Sequence, residues 1–405
     1  MVRKRFVNPF FPNRPVSDPE YFSGRKTQVD SIIDSLFQTI NGNPTHTIIT
    51  GDRGIGKSSL LVQTKVLATG NDRLSELLDI DLGIENYDFI VAWHDADFEQ
   101  TPQNVSVGLV KDLQSNATKF LSKINIELDI AGFVNVSQRE TNDKSVSELV
   151  NEFCKRIEKA AKEVEKKEKS GILLFIDEID RMDPRSGMAT FLKLATEKLN
   201  RDGVSNVAFV CAGITGAVQQ MEEDHASIFR TLKDVPIPRL NYIDSKEILV
   251  KGFCKVGVTY DNEILHSVYR LSAGFPEPVH LLGSELLAVD EDGHLSLDDC
   301  EKAKINVIEN VRKNQLQSLL KQAGSGNYQI ILEAMAEHEN TNVPLEVISR
   351  HIDLEQNQYS TNISNLVKRN IIHKVDRGVY TFVDPLLKEY IKNFGIVHVH
   401  DQEED

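Results

Sequence analysis

Apolar residues in the stretch 25–40 recur at three- and four-residue intervals: Val29, Ile32, Ile33, Leu36, Phe37 and Ile40. That spacing stacks them on one face and predicts a helix, which Asn41-Gly42-Asn43-Pro44 stops. Thr47-Ile48-Ile49 follows as a short apolar strand, then a Gly-rich loop and a helix from about Lys57. Further strands are expected at 89–93, 172–176, 206–211 and 235–237, with helices over 103–124, 145–169 and 187–200. The five residues of 172–176 are all apolar, as in a parallel strand buried on both faces. Residues 126–138 alternate around one glycine and read as a small hairpin. The charge run that closes the 145–169 helix reads as a solvated face. Strands that alternate with helices predict an α/β fold with a parallel sheet.

Beyond about residue 240 the strand pattern stops. Helices are expected at 244–257, 261–272 and 277–290, with a longer one over 298–322. Gly324-Ser325-Gly326 reads as a hinge. Residues 328–395 then read as three helices, a hairpin over 371–382 that turns at Asp376-Arg377-Gly378, and a last helix. Four segments result: a core with an N-terminal arm over 1–240, a helical segment over 241–323, a third segment over 324–395 and an acidic tail over 396–405.

Composition narrows the class. Hydrophobic content of 40% and charged content of 26% over 405 residues suit a globular chain of two or three domains. No apolar run reaches the ~18–20 residues that a membrane helix needs. The first fifteen residues are basic but lack an apolar secretory core. Cys154, Cys211, Cys254 and Cys300 are too far apart for a zinc site or a disulfide framework. A reducing cytoplasm is the default setting. The net charge of −15 argues against a dedicated, non-specific nucleic-acid binder.

The chemistry concentrates in two places. Gly51-Asp52-Arg53-Gly54-Ile55-Gly56-Lys57-Ser58, with Ser59 after it, fits the phosphate-loop pattern between a predicted strand and a predicted helix. Glycines let the backbone wrap a phosphate chain and aim N–H groups at it, and the helix adds its positive end. Lys57 would reach the β- and γ-phosphates of ATP, and the Ser58 hydroxyl would bind Mg²⁺. Next, Ile172-Leu173-Leu174-Phe175-Ile176-Asp177-Glu178 delivers two carboxylates at the C-terminal end of an apolar strand, where open α/β sheets bind ligands. Asp177 suits Mg²⁺ and Glu178 suits activation of water. Asp180 reads as a structural or capping residue. Ser227-Ile228-Phe229-Arg230 contains an arginine that, on spacing alone, reads as a surface ion-pair residue. Gly274-Phe275-Pro276, four residues before His280, reads as an interhelix turn.

Together these elements resemble the AAA+ superfamily, closest to its origin-initiator and STAND-like branches. Asn8-Pro9-Phe10 and Phe22-Ser23-Gly24-Arg25 are similar to the N-terminal box of bacterial and archaeal ATPases of that kind. The resemblance spans nearly the whole chain. It implies that 241–323 is a helical lid and 324–395 a winged helix. It implies Gly24 and Arg25 near the nucleotide base, Thr215 as the polar sensor, Arg230 as an arginine finger, and Pro276 touching nucleotide from the lid. Two departures are the Cys211-Ala212-Gly213-Ile214-Thr215 sensor segment and the lack of a lid arginine at the second-sensor position; the second points to tightly held nucleotide and slow turnover, with Mg²⁺ held by Ser58 and Asp177.

The third helix, about 356–369, carries Asn and Gln residues suited to base edges, and Lys368, Arg369, Lys374 and Arg377 suit phosphates. Over 328–395, however, seven basic side chains face nine acidic ones, a net of −2. Protein contact or autoinhibition fits this segment at least as well as DNA. The leading expectation is an ATP-driven switch that self-assembles with ATP and engages a protein effector, with no membrane contact. The alternatives are a DNA-binding initiator or transposition-regulator ATPase, and a structural nucleotide-binding subunit with negligible turnover. Salt-dependent DNA affinity separates the first alternative, and turnover by the isolated chain separates the second.

Overall fold

A computed structural model describes residues 6–120, 146–351 and 356–396. The chain divides into two compact units. One is Pro15–Pro238; the other combines Met1–Arg14 with Arg239–Asp405. The expected hairpin over 126–138 and the acidic tail after residue 396 lie outside the described residues.

The first unit is built on a five-stranded sheet in the order β2-β3-β4-β1-β5. Its strands are β1 (Thr47–Thr50), β2 (Phe89–Asp95), β3 (Gly171–Asp177), β4 (Val207–Gly213) and β5 (Lys233–Pro236). Every neighbouring pair is parallel. All residues of β3 and β4 are buried, which explains their unbroken apolar runs. Alternate side chains face opposite layers. Ile172, Leu174 and Ile176 join Leu109, Leu113, Phe153, Ile157 and Phe191 in one core. The rings of Phe153 and Phe191 meet edge to face at 5.2 Å. Each such buried side chain contributes ~2 kcal/mol. On the other face, Trp93 of β2 stacks on Phe175 of β3 at 5.3 Å, and Lys65 lies over the indole. All five strands fall within two residues of the expected spans at both ends. The helix Arg73–Leu78 was not expected.

The second unit is mainly helical. Its helices Tyr242–Val256, Asn262–Ser272 and Pro276–Val289 match the periodicity. The region expected as one helix over 298–322 is instead two helices, Leu297–Asn306 and Lys313–Ala323, joined by a π-helical turn at Val307–Val311. Strands also do not stop at 240: β6 (Thr259–Tyr260) and β7 (His294–Leu295) form a two-residue parallel pair. Further on come helices Asn327–Glu337, Leu345–His351 and Gln356–Lys368 and a sheet in the order β8-β10-β9, whose first strand lies between the first two of these helices. That sheet comprises β8 (Val343–Pro344), β9 (Ile372–Asp376) and β10 (Val379–Phe382), and helix Pro385–Phe394 follows.

The N-terminal arm is anchored in this unit by a socket. Phe10 is 3% exposed and meets Phe253 edge to face at 5.7 Å. Two helical glycines make room for it. A Cβ on Gly252 would fall 2.3 Å from the Phe10 ring, and one on Gly283 would fall 2.7 Å away. Asn8 donates to Ser284 Oγ at 2.7 Å and accepts from the Phe10 N–H at 2.9 Å.

Candidate functional site: a phosphate loop facing two carboxylates

The loop between β1 and the helix Lys57–Ala68 is shaped by its glycines. Gly54 and Gly56 have φ of 73° and 101°, left-handed values that favour glycine. Gly56 caps the helix, and Ile55 is buried beneath the loop. Lys57 Nζ donates to the carbonyls of Gly51 and Asp52, both at 2.9 Å, so the ammonium lies along the loop. Burial lowers the Lys57 pKa, and the negative charges of Asp180, Asp177 and Asp52 oppose that shift. The Ser58 hydroxyl lies near enough to Asp177 to lower its pKa.

Asp177 ends β3 and is buried; that burial raises its pKa, while Ser58 and the Glu178 N–H, which donates to it at 2.8 Å, pull it down. Glu178 sits in the left-handed region at φ 54°. Burial also raises its pKa, and Arg181, paired with it at 2.9 Å, opposes the shift. Asp180 Oδ1 accepts from the Ile214 N–H at 2.9 Å and so ties the turn after β3 to the end of β4. Thr215 is exposed and donates to Asp52 Oδ1 at 3.1 Å. Parallel packing therefore brings the phosphate loop, the Asp177–Glu178 pair and Thr215 to one end of the sheet, at the C-terminal ends of the strands.

Arg25 is buried with φ 68°. Its guanidinium donates to the Ile55 carbonyl at 3.1 Å and to the Pro238 carbonyl. It thus buttresses the phosphate loop from behind. The Ser59 hydroxyl accepts from the Val16 N–H at 3.1 Å, and Gln63 holds the Val16 carbonyl at 2.8 Å, so the chain after the arm lies on the phosphate-loop helix. Arg53 is exposed on the loop. Arg230 ends the turn Ile228–Arg230, fixed by the fully buried Ile228, and is exposed. Among the described residues its guanidinium has no hydrogen-bond or ion-pair partner.

Pro276 opens its helix in the other unit. Gly274 before it has φ 78°, and a Cβ there would fall 2.5 Å from the Leu240 carbonyl oxygen. His280 packs against Phe10 and Phe11 and accepts a long bond from the Phe11 N–H at 3.4 Å. Arg369, expected to suit phosphates, is engaged internally: it donates to the Ala323 carbonyl at 2.6 Å and covers the Tyr328 ring. Asn365 likewise donates to the Tyr328 hydroxyl at 3.0 Å. Lys368, Lys374 and Arg377 are exposed.

One residue of this site escaped the sequence reading. Asp95, the last residue of β2, lies in register with Asp177 and accepts from the Trp93 indole N–H at 2.7 Å. Its charge raises the pKa of both Asp177 and Glu178. The donors at the site fit Mg²⁺: a hard cation takes oxygen ligands, and the site offers the Ser58 hydroxyl and the carboxylates of Asp177 and Asp95.

The sheet order, the phosphate loop after β1 and the carboxylates after β3 define the class: an α/β P-loop fold of the AAA+ type. Residues 21–210 match the family model of the AAA ATPase domain, and residues 319–391 match a domain of unknown function (DUF8462). Among solved structures, the chain is similar to the Walker-type ATPase PABY2304 of Pyrococcus abyssi, at 19% identity and TM-score 0.59, over 94% of this chain and 99% of that one. It is also similar to the Aeropyrum pernix ORC2 protein in its ADPNP–ADP complexes, at 16% identity and TM-score 0.58, over 96% and 97%. At these identities the likeness concerns the fold. No curated protein sequence matches the chain. No described helix is long and apolar enough to cross a membrane.

Proposed function

We propose that this chain is an ATP-binding, ATP-hydrolysing switch whose nucleotide state controls assembly or partner binding. One observation carries the reading: the parallel sheet sets the phosphate loop after β1 at the same end as Asp177–Glu178 after β3, with Ser58 near enough to Asp177 to lower its pKa. The backbone N–H groups of Gly51–Ser59 would hold the phosphates, and the Lys57 ammonium would neutralise the outer ones. Ser58 and Asp177 would hold Mg²⁺, which supplies further charge neutralisation there. Glu178 would take a proton from the attacking water. Its pKa is already raised by burial, which makes it a better base once Arg181 lets go. Thr215 would position the outer phosphate or the water, and Arg25 would keep the loop in shape. Turnover is slow in this reading, because no lid arginine is available at the second-sensor position.

The same proposal gives the segment 241–323 the part of a lid, with Pro276 at its nucleotide-facing turn, and 324–395 that of a winged helix. Three helices and a β-hairpin with a third short strand support the latter. The internal engagement of Arg369 and Asn365 leaves fewer groups for DNA and supports a protein effector. ATP-dependent self-assembly and a cytoplasmic setting complete the reading.

Two variants test it. Lys57→Ala is expected to lose nucleotide binding in a fluorescent-nucleotide titration while its circular dichroism stays native. Glu178→Gln is expected to bind ATP normally and to release phosphate ~10²–10⁴-fold more slowly. Wild-type affinity in the first variant would remove the phosphate-loop assignment, and wild-type turnover in the second would place the base elsewhere.

A further inference from the structure

The phosphate loop and the end of β4 are joined at two points. The Gly51 N–H donates to the Gly213 carbonyl at 3.3 Å, and the Thr215 hydroxyl donates to Asp52 Oδ1 at 3.1 Å. The first bond is backbone and continues the sheet. The second is a side-chain bond across the mouth of the loop, and it involves a charge. Asp52 is an acid placed inside an anion-binding loop, where like charge opposes the ligand.

We propose that Asp52 sets how strongly this site favours a nucleoside triphosphate over a diphosphate, acting through Thr215. The inference rests on the phosphate-binding reading above. A threonine hydroxyl has one proton to donate, and here Asp52 receives it. A phosphate oxygen is acceptor-only, so Thr215 can serve a terminal phosphate only by leaving Asp52. Lys57 rests on the Asp52 carbonyl at 2.9 Å and feels the Asp52 charge. A phosphate that extends past Lys57 toward Thr215 therefore meets the Asp52 carboxylate, whereas a chain one phosphate shorter leaves the Asp52–Thr215 bond in place. The pair acts as a toll on the outermost phosphate alone.

The test is equilibrium binding of ADP and of a non-hydrolysable triphosphate analogue to the full chain, with Mg²⁺ present, in Asp52→Asn and Asp52→Ala. The quantity read is the ratio of the two Kd values. Both variants are expected to move it toward the triphosphate by ~5-fold or more, the usual lower size of a coupling between sites. Thr215→Val should move it the opposite way, because the donor itself is gone. Asp52→Asn keeps the size and a hydrogen-bonding group, so it reports on charge even if Asp52→Ala unfolds. An unchanged ratio in Asp52→Asn, or equal changes for both ligands, would overturn the proposal while the phosphate-binding reading survived. Failure of the wild-type chain to bind either nucleotide would instead remove that reading, and this inference with it.

Discussion

His280 is buried and His46 half-buried, and desolvation pushes each imidazole down to about 4 from the usual 6.5. His280 receives the Phe11 N–H, and His46 accepts from the Phe209 N–H on Nδ1 at 3.1 Å, so both act as neutral acceptors. In the unfolded chain they would protonate near 6.5, so between pH 6.5 and 4 the unfolded state binds more protons. Stability should therefore fall as pH drops through that window, by ~3 kcal/mol for each histidine. Urea titrations at pH 7 and pH 4.5 check this, and His280→Gln should flatten the dependence. An equally steep dependence in that variant would clear His280 of the effect. The structure sets His280 against Phe11, a residue 269 positions away. No local pattern carries such a pairing. The phosphate loop was readable because its chemistry lies in eight consecutive residues. Asp95 was not, because its value depends on the register of β2 against β3.

At the scale of elements, the sheet strands and most helices were legible from periodicity, since burial imposes it directly. The break at Val307–Val311 was not. No proline or glycine marks it, and Val307 and Ile308 stay buried, so the apolar rhythm runs on through the π turn. The Phe10 socket was equally silent, because Gly252 and Gly283 lie inside helices where glycine merely weakens the pattern. Their geometry sets two opposed effects against each other. Replacing an interior helical glycine by alanine gains ~1 kcal/mol in helix propensity. At Gly252 the new Cβ would collide with the Phe10 ring, and overpacking of that kind costs ~1–3 kcal/mol. Gly252→Ala is thus expected to lower the melting temperature despite the better helix former. Phe10→Ala should cost more, ~3–5 kcal/mol. The double variant Phe10→Ala with Gly252→Ala should be no worse than Phe10→Ala alone, since the collision is gone. Thermal melts of the three proteins decide it; a stabilised Gly252→Ala single variant would show that the socket yields easily.

At the scale of the whole molecule, Arg230 is the feature that points outward. An exposed arginine without a partner among the described residues, carried on a turn fixed by buried Ile228, is free to meet charge on another copy. A head-to-tail contact of this sort builds rings or open filaments, not two-fold dimers. Arg230→Ala is expected to reduce both hydrolysis and ATP-induced oligomer size in light scattering, with nucleotide affinity unchanged. Mixing Arg230→Ala with Lys57→Ala protein should restore part of the activity, because some interfaces then pair an intact loop with an intact arginine. A chain that stays monomeric with ATP, with Arg230→Ala as active as wild type, would remove the idea.

The helical unit is discontinuous in the chain: its Phe10 and Phe11 precede the whole of Pro15–Pro238, and their partners follow it. During synthesis Phe11 leaves the ribosome 269 residues ahead of the histidine it bonds, and Phe10 one residue earlier still. At ~5–20 residues per second, that interval is on the order of 10–60 s. The sheet unit emerges in full within it and can close first. Phe10 and Phe11 meanwhile wait on the nascent chain without their socket, an apolar handle that a chaperone could hold until Gly252, His280 and Gly283 arrive.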